Sequence, residues 1–116
     1  MQYMLILYTQ ESGWSAMSPA EQQEAMVAYR AFTEALGKAG ALKSVDRLQP
    51  VSTATTVRVT NGKSQVLDGP YADTKEQFGG YFLIDVPDLD AALSWAARCP
   101  GASYGAMEVR PLWPLE

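Results

Sequence analysis

The chain has 116 residues, of which 47% are hydrophobic and 19% are charged, and its formal net charge is −4. This length suits a single domain, over residues 1–116, with one core. The acidic balance argues against nucleic acid or an anionic membrane as a partner. No run approaches the roughly 20 apolar residues that span a bilayer, the amino terminus lacks the features of a signal peptide, and the single Cys99 cannot form an internal disulfide. We therefore expect a cytoplasmic protein.

Histidine is absent from the sequence. Its absence excludes a Ser-His-Asp triad, a Cys-His pair and any metal site that uses histidine. One cysteine and scattered carboxylates predict no transition-metal cluster, and no spacing of acidic residues resembles an EF-hand loop. Any reaction of this protein is therefore expected to run without a metal or cofactor.

The first forty residues predict a strand, a loop and a long helix. Residues 2–8 are a short continuous apolar run, which is typical of a buried strand. Residues 11–17 are interpreted as a loop. Ser18 and Glu21 have the spacing of a capping box, so a helix is expected from residue 19, with Gly40 as its terminator.

Three strands are expected in the middle of the chain. Residues 41–48 contain irregularly spaced apolar positions, and residues 55–60 are rich in β-branched Thr and Val. Asn61-Gly62 is a strong signal for a two-residue hairpin turn into residues 63–67. Asp68-Gly69-Pro70 then predicts a second tight turn.

The last third predicts a short helix, a strand, a second long helix and a final strand. Residues 73–78 are expected to form at most two helical turns, which Gly79-Gly80 would stop, and residues 81–86 form a strand. Asp88 can cap a helix, and residues 105–112 form a last strand that prolines confine to an edge. The helix that Asp88 caps is expected to present an apolar face made of Leu89, Ala92, Leu93 and Ala96.

This order of elements predicts an α+β fold, a ferredoxin-like βαββαβ sandwich with an extra hairpin. Two helices cover only one face of such a sheet. The other face would expose an apolar patch, and large patches of this kind are rare on monomers. We therefore expect a homodimer in which the two sheets pack against each other.

Short segments along nearly the whole chain form a specific combination, although each is weak alone. They are Tyr3-Met4-Leu5, Ala31-Phe32-Thr33-Glu34, Thr55-Thr56-Val57-Arg58-Val59, Asp68-Gly69-Pro70-Tyr71, Thr74-Lys75-Glu76-Gln77, Gly79-Gly80-Tyr81, Asp88-Leu89-Asp90 with Ala91-Ala92-Leu93, and Glu108-Val109-Arg110-Pro111. Together they resemble the YCII-related family, and more closely its DGPF-domain branch.

The resemblance implies a ferredoxin-like fold paired into a dimeric α/β barrel. It implies no settled activity for this branch, whose members are often neighbours of extracytoplasmic-function sigma factors. Some YCII proteins carry a His-Asp pair in the cleft, and the wider superfamily includes muconolactone isomerases and cofactor-free monooxygenases.

This chain departs from that pattern at two positions. Tyr71 stands where the motif has phenylalanine, and the histidine, whose position in the first helix falls near Tyr29, is missing. The His-Asp pair therefore does not transfer. Asp68 remains, together with Tyr29.

Asp68 and Tyr29 are the candidate catalytic residues. Asp68 would be a general base if its surroundings raised its pKa, whereas its simpler role is to close its own turn. Tyr29 lies on the apolar face of the first helix and would offer a phenolic donor, or would pack in the core with its hydroxyl at the rim.

The candidate ligand-binding residues are charged or aromatic. Arg58, Lys75 and Glu76 would bind a polar or anionic ligand at a cleft, or would be solvated surface charges. Trp14, in a polar segment, would cover a cleft or contact a partner. The aromatic residues that would line a pocket, a core or a dimer interface are Trp14, Phe78, Tyr81, Phe82, Trp95, Tyr104 and Trp113.

Two functions of different classes fit these residues. The first is a homodimer with a cleft near Asp68 that binds a small organic ligand and catalyses an isomerase- or hydrolase-like proton transfer. The second is a non-catalytic sensor or accessory protein that acts with a sigma factor. A purely structural dimer without a ligand is a third alternative.

Overall fold

The computed structural model describes residues 1–115, which form a four-stranded antiparallel sheet, three α-helices and a separate two-stranded hairpin. The strands are β1 Gln2–Thr9, β2 Leu42–Arg47, β3 Thr55–Thr60, β4 Lys63–Asp68, β5 Gln77–Asp85 and β6 Ala106–Pro111. The helices are α1 Glu11–Ala16, α2 Pro19–Lys38 and α3 Leu89–Arg98, with 3₁₀ helices at Val51–Thr53 and Pro100–Ser103.

The sheet has the strand order β2-β5-β1-β6, and every neighbouring pair is antiparallel. This is the order of a ferredoxin-like sandwich in which the β3–β4 hairpin is inserted between the second and third strands of the sheet. The predicted fold class is confirmed. Strand β1 lies between β5 and β6, which explains why its sequence is an almost continuous apolar run.

The core lies between one face of the sheet and the helices α2 and α3. Its fully or nearly fully buried side chains include Tyr3 and Leu5 from β1, Phe82 and Ile84 from β5, and Leu36 from α2. These strand residues are two positions apart, so alternation places them on the same face. We call this the helix-covered face. The other face, called here the open face, carries the alternate residues Met4, Ile6, Tyr81 and Leu83.

The start of α2 is held by the predicted capping box. The Glu21 amide donates to the Ser18 hydroxyl at 3.2 Å, and the Ser18 amide donates to the Glu21 carboxylate at 3.0 Å. Pairs of this kind satisfy amides that the first helical turn leaves without partners. At the other end Gly40 takes a positive φ of 72°, as expected for a helix terminator.

The prediction of a loop over residues 11–17 was wrong, because Glu11–Ala16 is a helix. Its sequence, with Gly13 and two serines, has low helix propensity. Contacts distant in sequence stabilise it instead. The Glu11 amide donates to the side chain of Gln77 at 3.0 Å, and the Glu11 carboxylate accepts from the Val51 amide at 2.9 Å.

The prediction of a short helix over residues 73–78 was also wrong. The Thr74 hydroxyl donates to the Glu76 carbonyl at 2.6 Å, and the side-chain amide of Gln77 donates to the Thr74 carbonyl at 2.6 Å. These side chains bond backbone carbonyl groups that would accept from backbone amides in a helix. Strand β5 begins at Gln77 and continues through Gly79 and Gly80, which do not stop it. A Cβ at Gly80 would lie 2.9 Å from the carbonyl oxygen of Asp46, so glycine permits the close approach of β2.

The helix α3 begins at its predicted cap, since the Asp88 carboxylate accepts from the Ala91 amide at 2.9 Å. Ala92 and Ala96 are buried as predicted, but Leu89 and Leu93 are exposed. Trp95 packs edge-on against Phe32, with 6.2 Å between ring centroids, and the helix turns this large side chain rather than the leucines toward the core.

The β3–β4 hairpin is a two-stranded sheet of its own. Asn61 and Gly62 both take positive φ, 52° and 76°, as a type I′ turn requires. Every residue of β4 is exposed. The turn that follows is held by the Gly69 amide, which donates to the Ala54 carbonyl at 2.8 Å, and by the Thr56 hydroxyl, which donates to the Gly69 carbonyl at 2.9 Å.

In residues 1–115, none of the helices combines the length and the apolar character needed to cross a bilayer.

Candidate functional site

A cleft of about 740 Å³ opens on the helix-covered face, between the β2–β5 side of the sheet, α1 and α2. Its volume is in the range of sites that hold small organic molecules. The apolar residues that line it include Leu7, Trp14, Met17, Met26, Val45, Leu48 and Phe82. The sheet provides its floor, α2 provides one wall and α1 provides the opposite wall.

The helix α1 is fixed over this cleft at both ends. Glu11 bonds Gln77 and Val51, as described above, and the carbonyl oxygen of Trp14 accepts from the side chain of Gln22 at 3.0 Å. Three separate parts of the chain therefore hold the short helix that carries Trp14. A side chain on a segment held in this way is preorganised for contact with a ligand.

Arg47 stacks on Trp14 at the edge of the cleft. The guanidinium carbon lies 4.6 Å from the centroid of the Trp14 ring, and Nη1 lies 3.7 Å from the sulfur of Met26. Arg47 is not among the residues predicted from the sequence to bind a ligand. A signal for it existed, because Arg47 follows Val45 by two positions in β2 and therefore lies on the same face of the sheet.

Tyr29 and Tyr104 share a hydrogen bond between their hydroxyl groups, and both residues line the cleft. Tyr29 is partly buried on α2, and this burial, followed by the bond to Tyr104, raises the pKa of its phenol well above the ordinary value. Tyr29 is therefore a neutral phenol at any physiological pH. Tyr104 was predicted only as one of several aromatic residues, since 75 positions separate it from Tyr29.

A family model described as the YCII-related domain matches residues 1–116. The chain belongs to the YCII-related family. The uncharacterized protein R00369 of Rhizobium meliloti (strain 1021) is 42% identical over 114 residues, which cover 97% of this chain and 92% of that protein. The family predicted from the sequence motifs is confirmed, and the assignment to the DGPF branch stays a prediction.

Among solved structures, this YCII-related protein is similar to the 5-chloro-2-hydroxyhydroquinone dehydrochlorinase TftG from Burkholderia phenoliruptrix AC1100, in complex with 2,5-dihydroxybenzoquinone. The TM-score is 0.56 at 14% sequence identity, and the match covers 97% of this chain and 94% of that chain. At this identity the similarity concerns the fold.

Three predicted site residues of the YCII-related protein border the cleft. Tyr29 and Trp14 do so as described above. Tyr81 lines the cleft from β5, but its side chain lies on the open face, where its hydroxyl donates to the Asp46 carboxylate at 2.7 Å. That hydrogen bond raises the pKa of Tyr81. The Tyr81 hydroxyl therefore donates its proton to a carboxylate, whereas the Tyr29 hydroxyl is bonded only to the hydroxyl of Tyr104.

The other four predicted site residues lie outside the lining of the cleft of their own protomer. Asp68 is exposed at the end of β4. The guanidinium carbon of Arg58 lies 5.1 Å from the centroid of the Tyr71 ring, in the segment that follows the hairpin. Lys75 and Glu76 lie in the segment between the hairpin and β5, where Lys75 is exposed and Glu76 is half-buried. Within one protomer these four residues line no part of the cleft, and their predicted roles stay predictions.

No group of three or more carboxylate or thiol side chains in the described part of the chain is placed to hold a metal ion. Cys99 is a free, buried thiol in the core, and burial raises its pKa. It is therefore poorly placed to act as a nucleophile.

Proposed function

We propose that this YCII-related protein binds a small organic ligand in the cleft and catalyses a cofactor-free proton transfer, isomerase- or hydrolase-like in type. The observation that carries the proposal is the Tyr29–Tyr104 pair in a cleft with a largely apolar lining. A neutral phenol held at such a site is a hydrogen-bond donor suited to an oxygen on which negative charge develops.

The chemical role proposed for Tyr29 follows from its partners. Tyr104 accepts or donates one hydrogen bond and so orients the Tyr29 hydroxyl, while the Thr33 hydroxyl donates to the Tyr29 carbonyl one turn along α2 at 2.9 Å. When a carbonyl compound loses an adjacent proton, the resulting enolate oxygen would accept a hydrogen bond from Tyr29. Low dielectric in the cleft makes such a bond stronger than it is in water.

The solved structure of the dehydrochlorinase TftG supports a cyclic oxygenated compound as the ligand class, because the molecule in its complex is a dihydroxybenzoquinone. A ring of this size fits the volume of the cleft. The flat rings of Trp14 and Phe82 in the lining suit contact with such a compound.

We infer that the protein is a cytoplasmic homodimer and that the base is Asp68 from the second copy. The open face carries Met4 and Leu83, which are only half-buried in the protomer and which a second sheet would cover. The hairpin connects to β2 and β5 at the end of the sheet where the cleft opens, since Leu48 and Gly79 line the cleft. Among residues 1–115, no free carboxylate faces the Tyr29 hydroxyl in the cleft of one protomer. In this proposal the hairpin of the second copy supplies that carboxylate, Asp68.

The experiment is exchange of C–H protons in D₂O, followed by NMR, for a panel of cyclic ketones, lactones and hydroxyquinones. This readout detects proton transfer before the full reaction is identified. For a compound that the wild type exchanges, Tyr29→Phe is expected to lower the rate by about 10²-fold, the usual effect of losing one donor to an oxyanion. Tyr71→Phe, which removes an exposed hydroxyl outside the cleft, is the matched control. Equal rates for Tyr29→Phe and wild type would remove Tyr29 from the mechanism.

A second candidate function is a non-catalytic sensor or accessory role in association with a sigma factor. The hairpin favours it, because Val57, Val59 and Val66 are exposed on one face of a two-stranded sheet. Affinity capture from native cells, with Val59→Lys as the comparison, tests it. A sigma factor recovered with the wild type and lost with this variant supports the accessory role, and recovery of no sigma factor contradicts it.

A further inference from the structure

The cleft contains four charged residues, and its acidic groups are already bonded. Both oxygens of the Glu11 carboxylate lie within 3.3 Å of the Val51 amide nitrogen, and the Asp46 carboxylate accepts from Tyr81 at 2.7 Å. The basic groups are Arg30 and Arg47. Since the ion pairs within residues 1–115 are Met1–Asp85 and Glu108–Arg110, neither basic group in the cleft is paired with a carboxylate there.

Arg47 is held in place without being neutralised. Its neighbours are the Trp14 ring, 4.6 Å from the guanidinium carbon, and the Met26 sulfur, 3.7 Å from Nη1. Stacking on an aromatic ring fixes the plane of a guanidinium. One N–H group of Nη1 donates to the Met26 sulfur, and the others lie at the edge of the guanidinium plane, where they can donate to a ligand. In a chain of net charge −4, an arginine oriented by a ring and left without a carboxylate partner is suited to an anion from outside.

The surface beside Arg47 is apolar. Val45 and Leu48 are 38% and 49% exposed although both line the cleft, and Leu7 and Phe82 continue the same surface. A ligand that covers these side chains gains free energy from the apolar area that it removes from water. The arrangement thus joins one cationic group to an apolar floor, with the Tyr29–Tyr104 pair as a further polar feature.

We propose that the cleft recognises a small organic acid, whose carboxylate is bound by the fork of Arg47 and whose apolar body lies over Val45 and Leu48. This proposal rests on the proposed ligand-binding function and specifies the class of ligand. Arg47 is a binding residue in this scheme, and Trp14 positions it. A guanidinium donates two parallel hydrogen bonds to the two oxygens of a carboxylate. A ligand with an uncharged amide in place of the carboxylate cannot accept both.

The test compares 2-naphthoate with 2-naphthamide, which have the same ring system and differ in charge. The probe signal is the Trp14 indole N–H peak in ¹H–¹⁵N spectra of the full chain, because this ring lies against Arg47. We expect 2-naphthoate to move the peak at lower concentration than 2-naphthamide. Arg47→Gln should weaken 2-naphthoate binding at least about tenfold, the usual effect of losing a hydrogen bond to a charged group, and should leave 2-naphthamide binding unchanged.

Arg98→Gln is the matched control, because Arg98 also stacks on a tryptophan, with 4.2 Å from its guanidinium carbon to the Trp95 ring, but lies on α3 outside the lining of the cleft. Arg47→Lys retains the charge without the planar fork and should bind 2-naphthoate with intermediate affinity. Both variants change exposed side chains, and the dispersion of their spectra reports whether each is folded.

Equal affinity for the acid and the amide, or an unchanged affinity in Arg47→Gln, overturns the proposal while the cleft remains a ligand site. No movement of the Trp14 peak with either probe at about 10 mM also overturns it, because a bidentate charged contact combined with apolar burial should bind more tightly than this. Failure of the proposed catalysis has a different signature. In that case 2-naphthoate still binds through Arg47, and wild-type protein exchanges no C–H proton in any compound of the panel.

Discussion

Tyr29 on α2 and Tyr104, six residues beyond the end of α3, meet through a hydrogen bond between their hydroxyl groups. The 3₁₀ helix Pro100–Ser103 brings Tyr104 to this position, and Gly101 within it lies directly beneath the Tyr29 hydroxyl. The donor proposed for catalysis is therefore positioned by the connection between α3 and β6 as well as by its own helix.

The first prediction concerns Gly101. A Cβ there would lie 2.7 Å from the Tyr29 hydroxyl oxygen and would collide with the side chain of Leu7. Both obstacles are ends of side chains that can move, so we expect Gly101→Ala to fold with a loss of about 1–3 kcal/mol in the free energy of unfolding. Because the Tyr29 hydroxyl must shift, proton exchange should fall by a factor similar to that of Tyr29→Phe.

The control for this variant is Gly37→Ala in α2, where no atom lies within 4 Å of the added Cβ. It should raise the free energy of unfolding by about 0.5–1 kcal/mol, since alanine is the better helix former, and leave exchange unchanged. Urea unfolding and the exchange assay measure the two effects. Wild-type exchange in a folded Gly101→Ala variant would contradict the positioning role of this glycine.

The second prediction concerns alkaline pH. The pKa of Tyr29 is raised in the folded protein, chiefly by burial and then by the bond to Tyr104, whereas in the unfolded chain it takes its ordinary value of 10.0. The unfolded state therefore releases this proton first. The stability that Tyr29 contributes is fully present below about pH 10 and is lost as the pH rises above it.

Urea midpoints measured at several pH values between about 8 and 11 test this linkage. The wild type should lose stability faster than Tyr29→Phe above about pH 10, because phenylalanine has no proton to release. Parallel curves for the two proteins over the whole range are the contrary result. Tyr71→Phe, at an exposed site, should follow the wild type.

The third prediction concerns association. If a second sheet covers the open face, a charge placed there should separate the subunits, because an unpaired carboxylate is costly to bury. We expect the wild type to sediment as a dimer. Leu83 is half-buried on the open face, and Leu83→Glu should sediment as a monomer. Leu89→Glu changes an exposed leucine on α3, on the other side of the sheet, and should remain dimeric. A monomeric wild type would overturn both the dimer and the role of Asp68.

Local sequence signals predicted most of the fold. The Ser18–Glu21 capping box, the Asn61-Gly62 turn and the Asp88 cap each act over a few residues, so the sequence alone contains the information that determines them. The helix α1 was missed because its stability comes from Gln77 and Val51, which are 66 and 40 positions away from Glu11. Residue spacing carries no signal for such contacts.

The candidate site was harder to predict for the same reason. The predicted site placed Asp68 and Tyr81 at one cleft, but Asp68 ends a strand of the hairpin and Tyr81 belongs to the main sheet. Tyr29 was chosen because it falls near the position of the family's histidine, and Trp14 because it stands in a polar segment; both line the cleft. Arg47 was missed, since an arginine at the end of an edge strand is indistinguishable from an ordinary surface charge until Trp14 is seen beside it.

The last prediction tests whether Asp68 acts on the cleft of a second copy. Asp68→Asn and Tyr29→Phe should each lower proton exchange on their own. In a dimer that contains one subunit of each kind, one of the two sites combines an intact Tyr29 with an intact Asp68 from the other subunit. Co-expression of differently tagged chains and purification through both tags yields this hybrid.

The hybrid should recover up to about half of the wild-type rate, because one of its two sites is complete. If Asp68 acted within its own protomer, each site of the hybrid would lack one residue, and the rate would stay at the level of the single variants. Asp73→Asn is the matched control, since it removes an exposed carboxylate five positions from Asp68 in the loop that follows the hairpin. Paired with Tyr29→Phe it should give the same half rate, and a wild-type rate for Asp68→Asn alone would contradict the role of this carboxylate as the base.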